Sequence, residues 1–179
     1  MAIDEFDFIK YNEGLVKHIE RHLEGSVVTG SHFKRNAFPD AKALIDCALE
    51  YVGDYNGQRT EVVADLGRVI GYDALVRLDD LPSEANVIRE PRGIGEYMAN
   101  VVEGVPKMET TQMVVVAGPL REEGKHGFYT IFPGKNAPPF PVGEEQLKEW
   151  GYTGKTLNDA LETNKGYEAF WKKHALIKD

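Results

Sequence analysis

The chain has 179 residues, of which 42% are hydrophobic and 28% charged, as in an ordinary soluble globular protein. No segment approaches the ~18 consecutive apolar residues of a membrane span, and the acidic N-terminal segment lacks the apolar stretch of a secretory signal. One cysteine, Cys47, excludes an internal disulfide, which suits a reducing compartment, so we expect a cytoplasmic protein without a membrane partner. The formal net charge of -8 disfavours non-specific binding to nucleic acid.

Two helices are predicted in the first third of the chain. Apolar residues recur at helical spacing over residues 4–24, and Gly25 ends that pattern. A second amphipathic helix is predicted over residues 40–52, just after Pro39, and Gly53 ends it. Residues 26–29, which lie between the two helices, are predicted to form a short strand.

The middle of the chain is predicted to form strands. A segment rich in Val, Ile and Leu, interrupted by Gly67 and Gly71, predicts a hairpin or one bent strand. The last two strands are predicted to pair across a turn at residues 121–124, whereas residues 96–109 stay ambiguous. The predicted strands cover residues 60–66, 68–78, 86–89, 112–117 and 125–132.

The C-terminal part is predicted to be helical near residues 144–150, 156–164 and 166–176. Because the strands cluster instead of alternating with helices, the pattern indicates an α+β fold. We expect N-terminal helices, then an antiparallel β-meander, then additional C-terminal helices. Without repeats or a low-complexity linker, the sequence predicts a single domain over residues 1–179, with a core of about 27–134 and a helical extension of about 142–179.

Two motifs lack a residue that their chemistry requires. Gly154 to Thr156 resembles the end of a phosphate-binding loop, but Glu149 occupies the position of its first glycine, so a helix capping box of Thr156 with Asp159 is predicted instead. His18 and His22 are spaced for one helical face and could bind a metal. No third ligand is evident, so surface histidines are predicted, and a metal hydrolase is kept only as a lesser alternative.

Two stretches of this acidic chain carry a net positive charge. Residues 30–36 contain two bases and no acid, and residues 110–141 contain three bases and two acids. His32 lies in the first stretch, and Arg121 and Thr130 lie in the second. Phosphodiester cleavage requires groups that move protons and cations that stabilise the phosphorane charge, and these residue types can supply both without a metal.

The segments SHFKRN (31–36), DLGRVIGYDALV (65–76), VVVAGPLR (114–121) and GFYTIFPG (127–134) together resemble a known family. They are similar to the barnase–EndoU–colicin–RelE superfamily of metal-independent ribonucleases, in particular to its phage-associated branches. The resemblance implies a helix-helix-meander fold and cleavage of RNA through a 2′,3′-cyclic phosphate, with no cofactor.

The resemblance also implies roles for individual residues. His32 would be the general base or acid, Thr130 would hold the phosphate by its hydroxyl, and Arg121 or Arg89 would stabilise the transition-state charge. The residues implied to contact the RNA backbone are Lys34, Arg35, His126 and Lys135, with Arg89 as a further substrate-binding residue.

A non-catalytic binding or regulatory module is the alternative. Residues 37–109 carry 14 acidic and 7 basic residues, and such a surface could face a basic protein partner or inhibitor. Salt-dependent binding of RNA separates the two hypotheses, because only the ribonuclease requires contacts with phosphates.

Overall fold

The computed structural model describes residues 6–25 and 29–179, and this part of the chain contains four α-helices and eleven β-strands. It divides into two compact units. The first consists of Met1–Ala74 and Lys107–Asn136, and the second of Leu75–Pro106 and Ala137–Asp179. The predicted extension over residues 142–179 therefore shares its unit with an earlier segment of the chain. The prediction of a single domain stays a prediction.

The mixture of helices and sheets agrees with the α+β class, but the predicted order of elements is wrong. Strand β1 (Asp7–Ile9) precedes helix α1 (Glu13–Glu20), and strand β11 (His174–Ile177) ends the chain after the last helix. β1 lies within the predicted helix 4–24 and pairs in parallel with Lys125 to Gly127. Nonlocal pairing therefore overrides the helical spacing there.

The main sheet of the first unit has four strands in the order β1, β10 (Lys125–Pro133), β9 (Gln112–Pro119), β3 (Thr60–Asp65). β9 and β10 form the predicted antiparallel hairpin, which is confirmed. The register of this hairpin shifts between Phe128 and Thr130, and Thr130 lies opposite Val116. β3 pairs with β9 at the edge.

The predicted hairpin or bent strand over residues 60–78 is wrong. β3 belongs to the main sheet, β4 (Gly71–Asp73) belongs to a three-stranded sheet, and β5 (Leu75–Arg77) belongs to the second unit. In the three-stranded sheet, β4 lies between β2 (His32–Phe33) and β8 (Met108–Thr110), and both pairings are antiparallel. The predicted strand over 26–29 falls on residues that lie mostly outside the described part.

Two helices complete the first unit. The side chain of Asn12 accepts a hydrogen bond from the backbone of Leu15 and begins α1. Asp40 caps α2 (Ala41–Leu49), which continues as a 3₁₀ turn, Glu50–Val52, as predicted. Both helices pack into one apolar core, whose largest fully buried side chains are Tyr55, Phe33, Ile19, Leu23, Leu44, Ile45, Ile70, Met113 and Ile131.

The second unit contains a sheet in the order β5, β11, β7, β6, with β6 (Asn86–Arg92) and β7 (Tyr97–Glu103) as an antiparallel hairpin. Helices α3 (Glu144–Glu149) and α4 (Gly154–Trp171) belong to the same unit. α4 is one helix where two were predicted, and it ends at Trp171 because the next segment pairs with β7 as β11.

The predicted capping box is displaced by three residues. Thr153 and Thr156 form the box at the start of α4, instead of Thr156 and Asp159. In the described residues, no helix is long and apolar enough to cross a membrane.

Candidate active site

A histidine of α1 and a threonine of β10 form a polar contact in the first unit. The Nε2 atom of His18 lies 3.0 Å from the Oγ1 atom of Thr130, although the two residues are 112 positions apart. The contact forms because α1 packs against β10. Both side chains are only half-buried, so the pair combines a fixed geometry with access from solvent.

The environment of His18 favours a neutral imidazole. Burial lowers its pKa below the usual value of 6.5, and the nearby positive charge of Arg21 lowers it further. At pH 7 the ring is therefore largely unprotonated and can accept a proton, as a general base must.

Arg21 supplies a cation one helical turn after His18. Its side chain is exposed, and within the described residues its guanidinium makes no hydrogen bond or ion pair. Residues three apart on a helix are neighbours on its surface, so the charge lies on the same side as the imidazole. Arg21 can thus reach an anion that binds beside His18.

His22 lies next to His18 but in a different environment. Their ring centroids are 5.0 Å apart, and the Nε2 atom of His22 is buried without a hydrogen-bond partner in the described residues. Burial, followed by the charge of His18, lowers the pKa of His22 to about 4, while a hydrogen bond with the backbone of Ser31 opposes the shift. The prediction of surface histidines is therefore wrong for His22.

A metal hydrolase on His18 and His22 would need further ligands. Among residues 6–25 and 29–179, no group of three or more His, Cys, Asp or Glu side chains is arranged to hold a metal ion. The pair therefore lacks the third ligand that a zinc site requires.

The stability of the fold is expected to depend on the protonation of His22. Its pKa is about 4 in the folded chain and about 6.5 when unfolded, so the unfolded state binds more protons between these values. The free energy of unfolding should therefore fall by about 3 kcal/mol as the pH decreases from 6.5 to 4. Denaturant titrations at several pH values across this range measure the change in the free energy of unfolding.

His22→Asn is the matched variant, because asparagine can keep the hydrogen bond with Ser31 but does not titrate. Its free energy of unfolding should change less over the same pH interval. A pH profile identical to that of the wild type would contradict the assignment to His22.

His32, the predicted catalytic histidine, lies in β2 with 7% of its surface exposed. Its Nδ1 atom is 3.4 Å from the Nζ atom of Lys107, and its ring packs beside Tyr72 with centroids 5.2 Å apart. The hydroxyl of Thr130 contacts His18. The structure therefore places beside Thr130 a histidine that the sequence indicated only as a possible metal ligand.

Arg121, the predicted cation of the site, is exposed in the turn between β9 and β10. Thr130 lies five residues beyond Lys125, the first residue of β10, which corresponds to about 16 Å along an extended strand. The structure thus does not bring the backbone of this turn to Thr130. Arg89, the alternative cation, is in β6 of the second unit, where its guanidinium donates a hydrogen bond to the Met98 carbonyl.

Three predicted RNA-binding residues are engaged within the first unit. Lys34 pairs with Glu109, and its Nζ atom lies 4.7 Å from the centroid of the Tyr72 ring. Arg35 donates hydrogen bonds to two backbone carbonyls, at 3.0 Å and 3.1 Å. His126 is 2.6 Å from the hydroxyl of Tyr55. These contacts explain how the three side chains stabilise the fold, and binding of RNA by them stays a prediction.

Lys135, the fourth such residue, follows the turn that ends β10. Its side chain is exposed, and its backbone N–H donates to Asp73 at 3.3 Å. Gly134, with a φ of +100°, donates its own N–H to the carbonyl of Gln112 at 2.9 Å. A Cβ atom at Gly134 would lie 2.5 Å from the Cγ atom of Asp73. The abrupt end of the strand at Pro133 is therefore fixed by the Asp73 carboxylate, which packs against this turn.

No family model, no curated protein and no solved structure matches this chain. The imidazole of His18 in α1, the hydroxyl of Thr130 in β10 and the guanidinium of Arg21, which follows α1, are the kinds of groups that transfer protons and stabilise charge at a phosphate ester.

Proposed function

We propose that the first unit is a metal-independent endoribonuclease whose catalytic pair is His18 and Thr130. The observation that supports this proposal is the 3.0 Å contact between the Nε2 atom of His18 and the Oγ1 atom of Thr130. It joins a base of lowered pKa to a hydroxyl, beside the cation of Arg21, which has no hydrogen-bond or ion-pair partner among residues 6–25 and 29–179.

In the proposed reaction, the Nε2 atom of His18 removes the proton of a ribose 2′-hydroxyl. The 2′ oxygen then attacks the adjacent phosphorus, and the P–O bond to the 5′ oxygen breaks. The products are a 2′,3′-cyclic phosphate and a 5′-hydroxyl, whose proton comes from solvent. His18 returns its proton to solvent, so the enzyme is unchanged.

Thr130 and Arg21 have supporting roles in this reaction. Before RNA binds, the hydroxyl of Thr130 donates its hydrogen bond to the Nε2 atom and holds the imidazole in place. Once RNA is bound, this hydroxyl donates to a phosphate oxygen instead, which leaves Nε2 free to accept the proton of the 2′-hydroxyl. The guanidinium of Arg21 stabilises the negative charge that grows on the phosphate in the transition state. Because the chain carries a net charge of -8, binding of RNA should depend on a few such local cations and weaken with added salt.

The proposed chemistry requires a 2′-hydroxyl at the cleaved bond. We expect the protein to cleave a single-stranded oligoribonucleotide in the presence of EDTA and to leave a cyclic phosphate, which mass spectrometry identifies. The same oligonucleotide with a 2′-deoxy sugar at the cleaved position should stay intact at that bond.

Cleavage of the deoxy bond, or cleavage only with added Mg²⁺, would contradict this mechanism. If neither oligonucleotide is cleaved and neither binds at low salt, a non-catalytic binding module becomes the better hypothesis.

A further inference from the structure

The second unit contains a cleft that the proposed reaction does not use. Its volume is about 730 Å³, within the usual range of ligand sites. The turn between β6 and β7, the segment 139–142, α3 and α4 enclose it. Its apolar wall is formed by Phe140, Leu147, Trp150, Tyr152, Ala160 and Tyr167.

Several of these apolar side chains are exposed to solvent. Ile94, at the tip of the β6–β7 turn, is 74% exposed, Trp150 is 42% exposed and Tyr152 is 39% exposed. A cluster of large apolar side chains around one opening is typical of an interaction site, whereas isolated ones are common on any surface. The cleft therefore has the apolar surface that a binding partner could cover.

The polar groups of this cleft indicate a cationic ligand. Within the described part of the chain, the carboxylate of Asp159 and the hydroxyls of Tyr152 and Tyr167 have no hydrogen-bond or ion-pair partner. Aromatic faces and a carboxylate both attract Lys and Arg side chains. RNA phosphates would instead be repelled by Asp159.

A second cleft of about 850 Å³ along α4 shares Asp159 with the first. Its other acids already have a counter-ion, since each pairs with a lysine three or four residues later in the chain: Glu144, Glu162 and Glu168. Asp159 is therefore the acid of the two clefts that has no counter-ion in the described residues.

We infer that the cleft of about 730 Å³ binds a basic, apolar peptide segment of a partner protein. An aliphatic or aromatic side chain of the peptide packs against Trp150 and Tyr167, and a neighbouring Lys or Arg lies over an aromatic ring beside Asp159. The α4 residues that line the cleft run from Thr156 to Tyr167, about 16 Å at 1.5 Å per residue. About five extended residues cover this length, which is more than a single small cation needs.

Binding of two synthetic peptides to the full chain tests this inference. The basic peptide is acetyl-Lys-Phe-Arg-Leu-Lys-amide, and the acidic one carries Glu in place of each Lys and Arg. Titration calorimetry should show that the basic peptide binds and that the acidic one does not. Asp159→Asn should weaken binding of the basic peptide by about twofold to fivefold, because one ion pair is lost while the aromatic rings stay in place.

Glu145→Gln is the matched control. It removes the same charge from an exposed residue of α3 that lines neither cleft, and it should leave the affinity unchanged. Trp150→Ala should weaken binding by about tenfold, and its thermal unfolding should show that the variant is folded.

Four outcomes would overturn the inference. They are no binding of the basic peptide to the folded wild type, equal binding of the acidic peptide, an equal loss in Glu145→Gln, and binding of arginine amide alone as tightly as the peptide. The last outcome would identify a small cation as the ligand. Because the cleft and the His18–Thr130 pair share no residue, these results are independent of RNA cleavage.

Discussion

His18→Ala is expected to reduce the rate of RNA cleavage at least about 100-fold, the usual contribution of a general base. The variant loses the Nε2 atom that contacts Thr130, while alanine favours the helical conformation of α1. Rates on a defined oligoribonucleotide measure the effect, and circular dichroism shows that the variant is folded.

Thr130→Val should reduce the rate by about tenfold, since it removes one hydrogen bond and keeps the side-chain volume.

His174→Ala is the control for this prediction. His174 is a half-buried histidine of the second unit that stacks on Phe170 with centroids 3.9 Å apart. Its variant should cleave RNA as the wild type does. If His18→Ala kept full activity while His32→Ala lost it, the role predicted from the family resemblance would be right and the assignment to His18 would fail.

Gly134→Ala is expected to lower the free energy of unfolding by about 3 kcal/mol, from backbone strain and overpacking together. The residue has a φ of +100°, which L-residues rarely adopt, and its added Cβ would lie 2.5 Å from the Cγ atom of Asp73. Asp73 is 6% exposed, so the carboxylate has little room to move. Equilibrium unfolding in urea measures the loss.

Gly124→Ala separates the two causes. Gly124 also has a positive φ, +76°, but a Cβ there would meet no atom within 4 Å. This variant should therefore lose only about 1 to 2 kcal/mol from backbone strain. Equal losses in the two variants would show that the contact with Asp73 contributes nothing to the requirement for glycine.

Local patterns in the sequence predicted part of the fold. The continuous apolar run from Met113 to Ala117, followed by a polar turn, predicted the β9–β10 hairpin, because such pairing is specified by neighbouring residues. Helix α2 was predicted for the same reason, because its amphipathic spacing and its cap at Asp40 both lie within the helix segment itself. β1 was missed because its strand conformation comes from parallel pairing with β10, more than 110 residues later.

The candidate site depends even more on the tertiary structure. The sequence by itself determined that a histidine pair, an arginine and a threonine hydroxyl were present, and it favoured His32 because a basic loop surrounds that residue. Only the packing of α1 against β10 decided that Thr130 meets His18, since no local pattern links positions 112 residues apart. The requirement for glycine at position 134 has the same origin, because the atom that excludes a larger side chain belongs to Asp73 on another strand.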